Sequence, residues 1–432
     1  MAVGAGVSEQ DQVFTKCAWR LIPFMGLLYL VNFIDRSNVS YAALTMNKQL
    51  GFSPSVFGFG AGIFFMGYAL FQVPANVILE RIGARRWVFC ILAVWGLLSA
   101  STALVHSPTS FYLLRFFLGI AEAGFAPGMF LYLTYWFPRG HLARFTSYFM
   151  VAIPLSYVIG GPLSTLVLKM DGLAGIHGWQ WMFLIEGLPA FLLSFVTLKL
   201  LPDRPKDAPW LNTDEKKTIA ERCSAGEPQG QPDLWSALRD PRLFALGLAS
   251  FTFQAAAYGL ALWAPQILQA MDFSNLAIGF IIALLFVGGI PAMILVGRSS
   301  SIRGERIWHV ALPFLLAASG VVLVSLAHSH IIVLGALALA VISNFAAYGP
   351  FFTLPSSFLR GTALAGGIGL FSTLGSFGGF FGPSIMGVLR QASGAYTSSL
   401  LAVALGYVLA ALIVIGVGRA LASRRGDVGP SG

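Results

Sequence analysis

Apolar segments of 18 to 25 residues recur along nearly the whole chain, separated by short polar turns. A helix rises about 1.5 Å per residue, so about 20 such residues cross the roughly 30 Å hydrocarbon layer of a bilayer. The pattern predicts an all-α membrane protein with twelve transmembrane helices, at 21–46, 55–79, 87–105, 110–136, 145–168, 179–199, 243–270, 276–297, 307–327, 331–353, 363–389 and 396–418. At 432 residues, 56% hydrophobic and only 10% charged, the chain is far too apolar for a soluble globular protein. The first twenty residues are polar and contain acids, so no removable leader is expected and the first span directs insertion.

A net charge of +9 raises the question of nucleic acid, and its distribution answers it. With the N-terminus inside, 22 of the 27 Lys and Arg fall on cytoplasmic segments, among them Arg144, Arg298, Arg303, Arg306, Arg360, Arg424 and Arg425. Only Lys48, Lys169 and Arg390 fall outside, and Arg36 and Arg115 lie within spans. This is the asymmetry of a multi-pass membrane protein with both termini cytoplasmic. The expected partner is the lipid bilayer, not nucleic acid. Cys17, Cys90 and Cys223 offer no disulfide framework, and no metal-ligand spacing, phosphate loop or catalytic triad is present, so neither an enzyme nor a metal site is expected.

Residues 201–242 turn polar and charged, beginning LPDRPKDAPWLNTDEKK, and read as a cytoplasmic linker between two six-helix bundles, 1–200 and 243–432. In the linker, Asn212 followed by Glu215 forms a capping-box pattern, and DLWSALRD from Asp233 suits a short interfacial helix. The halves carry a weak repeat. NVILERIGARR follows the second span and GRSSSIRGER the eighth, with Gly83 and Gly304 in equivalent places.

The turn containing Glu80, Arg81, Gly83, Arg85 and Arg86 resembles the signature of the major facilitator superfamily. That pattern begins with Gly and uses Asp, where this chain has Asn76 and Glu80; the second copy has Ser301 and Ile302 in place of the acid and Arg. The resemblance implies a conformational latch at Glu80, Arg81 and Arg85. NFIDRSNVSYA, GYALFQVPANVILERIGARRW, RFFLGIAEAGFAPGMFLYLTYWFP, GWQWMFLIEGLPA and LPSSFLRGTALAGGIGL are similar to the anion:cation symporter group, especially its bacterial tartrate and phthalate carriers, over almost the whole chain. The group also includes galactonate and glucarate carriers, with sialin and the vesicular glutamate carriers as animal relatives.

An ion near the bilayer centre costs at least roughly 2.5–3.5 kcal/mol, so it needs a partner or a wet cavity. Asp35 and Arg36 are neighbours about 100° apart on a helix, and cannot pair well on one face. Arg115 and Glu122 share a face of span 4 but stand about 10.5 Å apart along its axis. Cross-pairing between spans 1 and 4 into one four-ion cluster is therefore expected. Burial disfavours a charged carboxylate and a nearby Arg favours it, so Asp35 and Glu122 are the proton-coupling candidates. Protonation would free an Arg for a substrate carboxylate. The resemblance implies the same roles: substrate-binding Arg at Arg36 and Arg115, and proton coupling in galactonate-type relatives at acids matching Asp35 and Glu122.

Tyr29, Asn32, Tyr68 and Gln72 are the N-terminal pocket candidates, and Gln254, Tyr258, Asn344, Tyr348, Ser372 and Ser376 the C-terminal ones. Relatives often have Asn where Ser372 and Ser376 stand, which argues against a polyhydroxylated sugar acid. Glu186 is expected to be interfacial and structural, and all six His fall at loops or span ends, leaving the proton to carboxylates. The expected function is proton-coupled symport of a small organic carboxylate, tartrate-like or an aromatic acid such as phthalate or hydroxyphenylacetate. The proton is the coupling ion, no cofactor is needed, and a monomer in the bacterial inner membrane is expected. A proton antiporter exporting organic anions or drugs is the alternative; VIGGPLSTLV on span 5 carries only part of the glycine motif it would favour.

Overall fold

The computed structural model describes residues 9–224, 240–359 and 361–426. Fifteen α-helices and short 3-10 turns account for the regular structure, with no strand among the described residues. Before the linker come α1 (Glu9–Leu50), α2 (Pro54–Ile82), α3 (Ala84–Ser101), α4 (Pro108–Glu122), α5 (Phe125–Trp136), α6 (Arg139–Met150), α7 (Ala152–Val167) and α8 (Gly178–Leu200). The linker holds α9 (Thr213–Ser224). After it come α10 (Pro241–Gln269), α11 (Asn275–Arg303), α12 (Ile307–Leu326), α13 (His330–Phe352), α14 (Gly361–Ser393) and α15 (Thr397–Gly426).

Among the described residues, eleven helical stretches are long and apolar enough to cross a membrane, six before the linker and five after it. The remaining expected span, 363–389, falls on α14, which is 33 residues long but dense in glycine and serine. Two spans are broken, and prolines explain both breaks. A proline removes the hydrogen bond to the carbonyl four residues back and crowds it. Pro127 acts on Ala123, so α4 stops at Glu122 and α5 begins at Phe125; Pro154 acts on Met150, where α6 ends. The first break leaves Glu122 at a buried helix end.

The two basic turns each place a glycine at positive φ, in different conformations. Gly83 and Gly304 both take positive φ, 88° and 62°. The first turn is held by the linker, since Asp203 Oδ1 accepts from the Arg85 backbone N–H at 2.8 Å. Glu80 and Arg81 are exposed, and no ion pair involves either among the described residues. Beyond Asp203, the linker packs back on the first group of helices. Lys16 pairs with Glu215 at 2.8 Å, and Trp210 stacks on Trp136 at 5.6 Å. The capping box is formed, each of Asn212 and Glu215 accepting the other's backbone N–H at 2.8 Å. Of DLWSALRD only Asp240 lies within the described residues; it caps α10 by accepting from Arg242 N–H at 2.9 Å. Arg360 also lies outside them.

Helices before and after the linker meet at the end remote from it, and they do so through glycine. A Cβ on Gly58 would stand 2.4 Å from Pro383 O, one on Gly62 2.5 Å from Phe380 O, and one on Gly161 2.6 Å from Gly279 O. These spacings bring α2 onto α14 and α7 onto α11, backbone against backbone. Asn47 Nδ2 donates to Gln266 Oε1 at 3.2 Å and Gln269 Nε2 to Leu44 O at 3.1 Å, tying α1 to α10 at the same end.

Candidate functional site

The first span divides its polar residues between two faces. Asn32 and Arg36, four residues apart, turn to α4; Asp35 and Asn38, three apart, turn to α3 and α8. On the first face Arg36 Nη2 donates to Glu122 Oε2 at 2.9 Å, and Asn32 Nδ2 donates to the same oxygen at 2.8 Å. Both ions are buried, at 7% and 0% exposure. The Arg36 guanidinium also lies 4.9 Å from the Tyr68 ring centroid, 5.0 Å from Phe33 and 5.2 Å from Phe64, the aromatic surroundings that suit a desolvated guanidinium.

On the second face Asp35 has no direct ion pair among the described residues. Trp95 Nε1 and Ser99 Oγ of α3 donate to its two oxygens, and Asn38 Nδ2 donates to Oδ1 at 3.0 Å. The expected four-ion cross-pairing is thus corrected: one pair forms, and Asp35 is satisfied by neutral donors, two from α3 and a third, Asn38, from its own helix. Arg115 is left without a hydrogen bond. It is 1% exposed, rests 4.8 Å from the Phe64 ring centroid, and none of its three guanidinium nitrogens has a partner. Glu122 Oε1 and Gln72 Oε1 are likewise buried and unpartnered.

The central cavity lies beside this ion group, between the two sets of helices. Of the expected pocket residues it is lined by Gln254, Tyr258, Asn344 and Tyr348. Phe33 and Tyr258 form the wall between it and Arg36: Phe33 packs on the guanidinium, and Tyr258 packs on Phe65 at 4.2 Å. Asn344 Oδ1 accepts from Tyr407 Oη at 2.9 Å, leaving its amide nitrogen free to serve a ligand. Arg36 belongs to the ion pair, Asn32 and Tyr68 contact it, and neither these nor Arg115 and Gln72 line the cavity; Tyr29 is stacked on Phe149 at 4.4 Å. Ser376 returns its hydroxyl to the Ser372 carbonyl at 3.0 Å, and neither serine lines the cavity.

Sequence reasoning missed several participants. Tyr41, Tyr157 and Phe286 line the cavity, with Tyr157 stacked on Phe286 at 4.0 Å. Trp95 and Ser99 hold Asp35, and their spacing of four on one helix face was the available signal. Glu186 is corrected from interfacial to buried, at 3% exposure, because α8 turns it toward α1 and α7, where Ser164 Oγ donates to Oε1 at 2.7 Å.

The family profile described as Major Facilitator Superfamily matches residues 25–383. The chain belongs to the major facilitator superfamily. It is 43% identical over 424 residues to an Agrobacterium vitis protein named "Putative tartrate transporter", covering 98% of each chain. It is 38% identical over 391 residues to the "Quinolone resistance transporter" of Acinetobacter baumannii, covering 89% of this chain and 90% of that one. A bacterial homologue of the human lysosomal transporter Spinster, solved inward-facing and occupied, superposes with a TM-score of 0.77 at 17% identity, over 92% of this chain and 96% of that one. The chain is therefore a multi-pass membrane transporter of the superfamily and not an enzyme.

Proposed function

We propose that the chain is a proton-coupled symporter importing a small organic carboxylate by alternating access. The observation that carries this reading is Arg115, a fully buried guanidinium with all three nitrogens unpartnered. A buried cation in that state is unfavourable until an anion arrives. Arg36 is the second carboxylate reader, held in reserve by Glu122. A proton on Glu122 neutralises its carboxylate and leaves the Arg36 charge uncompensated, which frees the Arg36 fork for a two-point hydrogen bond to substrate and makes proton and anion binding mutually favourable. Asp35 is the second coupling acid.

The rest of the assignment follows the charge pattern. Both termini are cytoplasmic, α14 completes twelve spans, and residues 1–200 and 243–432 rock as two bundles about the cavity, joined by 201–242. With that orientation, the glycine contacts close the outer end, which supports an inward-open state for this conformation. Glu80, Arg81 and Arg85 latch the opposite state, so their exposure here is expected. The setting is the bacterial inner membrane, and the working unit is a monomer.

An aromatic acid is favoured over a hydroxylated one. Phe33, Tyr41, Tyr157, Tyr258, Phe286 and Tyr348 line the cavity with ring faces on which a planar acid can stack, and Gln254 and Asn344 are the amides there. Proteoliposomes given labelled tartrate, phthalate, hydroxyphenylacetate and galactonate, with and without an acid-outside gradient, test the reading. Uptake of an aromatic acid that accelerates with the gradient is expected. Outward flux driven by the same gradient, as the relative named for quinolone resistance would suggest, points to the efflux alternative and sinks the import reading.

A further inference from the structure

Of the stacked ring pairs among the described residues, Tyr157 and Phe286 are the one that lines the cavity and also joins a helix before the linker to a helix after it. Tyr157 stands on α7 and Phe286 on α11, with their ring planes 15° apart and their centroids at 4.0 Å. Phe345 of α13 meets Phe286 at 5.2 Å and 67°, edge against face, which fixes the tilt of that ring. Phe286 is 7% exposed and has little room to turn away. Phe65 on Tyr258 joins the two sets of helices as well, but at 49° it is not a pair of parallel faces.

The stack belongs to the same two helices as one of the glycine contacts. Gly161 lies four residues beyond Tyr157 along α7, about 6 Å, and Gly279 seven residues before Phe286 along α11, about 10.5 Å. A Cβ on Gly279 would stand 2.5 Å from Gly161 O, so the backbones touch there and the rings meet on the cavity side of that touch. Seam and stack must part together. A planar ring seated between Tyr157 and Phe286 needs about 7 Å, two contact distances of about 3.5 Å each. At 4.0 Å there is no room for one. The two faces are therefore open to a ring of the cargo when α7 and α11 have parted, and cover each other when those helices meet.

We propose that Tyr157 and Phe286 grip a planar ring of the carried acid while the outer end is open, and let it go by stacking on each other as that end closes. In the parted form each face gains a ring to stack on. In the closed form that gain is already made within the protein, and the cargo competes with it. Affinity for an aromatic acid is thereby higher from the outer side than from the inner, the order that loading outside and release inside require. An acid without a ring draws no such difference from this pair. The proposal rests on the reading of the chain as an importer of an aromatic acid whose glycine contacts close the outer end, and names the residues that make its affinity depend on the side.

Exchange of labelled hydroxyphenylacetate and phthalate by the full-length protein, without a pH gradient, tests the proposal. Half-saturation is taken from the outer face in right-side-out vesicles and from the inner face in inverted ones. In wild type the outer value should be lower by about two- to tenfold, the worth of one aromatic pair. Phe286→Leu should bring the two values together, and Phe286→Tyr, which keeps a ring, should preserve the difference. Equal values on the two faces of wild type, or a difference that Phe286→Leu leaves unchanged, overturn the proposal. Should Phe286→Leu fail to fold, Tyr157→Leu removes the opposite face and is read in the same way. No binding of either acid from either face overturns the proposal together with the aromatic-acid reading. Failure of the symport reading alone is separate, because it appears as wild-type uptake indifferent to a proton gradient, whatever the two half-saturations are.

Discussion

Arg36 and Glu122 meet at 2.9 Å between the first and fourth spans, while Arg115, on the same helix as Glu122, meets no hydrogen-bond acceptor. One acid therefore serves one of two buried cations. The cluster is electrically incomplete on the side where a carboxylate would complete it.

Replacing Arg36 or Arg115 with Lys should lower transport at least about tenfold, although charge is kept. Lysine presents a point charge and loses the planar fork that engages two oxygens. Substrate affinity measured by uptake in proteoliposomes is the check, and Arg36→Lys with wild-type affinity would exclude direct carboxylate binding there.

Asp35→Asn and Glu122→Gln imitate the protonated acids. Each should retain exchange of internal for external substrate while losing accumulation driven by a pH gradient. Counterflow and gradient-driven uptake compared in the same vesicles separate the two, and normal accumulation by both variants would make the acids structural.

The two turn glycines should differ in their tolerance. Gly304 sits at φ 62° and ψ 15° with open space around its Cα, so Gly304→Ala should cost only about 1 kcal/mol. Gly83 sits at φ 88° and ψ 154°, a region nearly reserved for glycine, and its Cβ would come 2.6 Å from Asp203 Oδ1. Gly83→Ala should therefore cost about 1–3 kcal/mol and impair transport more than Gly304→Ala. Thermal unfolding and accessibility labelling measure both. Labelling of Glu80→Ala with unchanged inward and outward populations would remove the latch role from Glu80.

Attachment of the linker helix should not respond to pH in the physiological range. The hydrogen bond from Lys16 holds the Glu215 carboxyl below its ordinary value. A depressed carboxyl contributes stability above its unfolded value of about 4.3 and loses it as pH falls through the lower folded value. Hydrogen exchange in α9, corrected for intrinsic rates, should be constant from pH 5 to 8. A change within that window would show another titrating group in the attachment.

Much of the fold is legible because hydrocarbon thickness imposes its length on every span. The breaks after Glu122 and Met150 follow from Pro127 and Pro154. The span expected at 363–389 falls on α14, whose glycines let it approach α2 and α10. In the site, the separation of Asp35 from Arg36 follows from helical periodicity, and of the cross-pairing expected between spans 1 and 4 only Arg36–Glu122 forms. The partners of Asp35 were hidden because Trp95 and Ser99 read as ordinary helix residues until α3 is laid on α1. Glu186 was misjudged because its place near a span end gives depth in the bilayer but not direction. Tyr41 and Tyr157 were missed for the same reason, as an aromatic facing lipid and one facing a ligand look alike in one chain.

The glycine seam of α2 on α14 and α7 on α11 has a consequence for how such a carrier can diversify. Main-chain surfaces make that seal, so its fit depends on helix paths and small residues and very little on the side chains around the cavity. Cavity residues such as Tyr157, Tyr258 and Tyr348 are correspondingly free to vary with the cargo. Selectivity can drift in one layer of the molecule while the moving parts in the next are inherited intact.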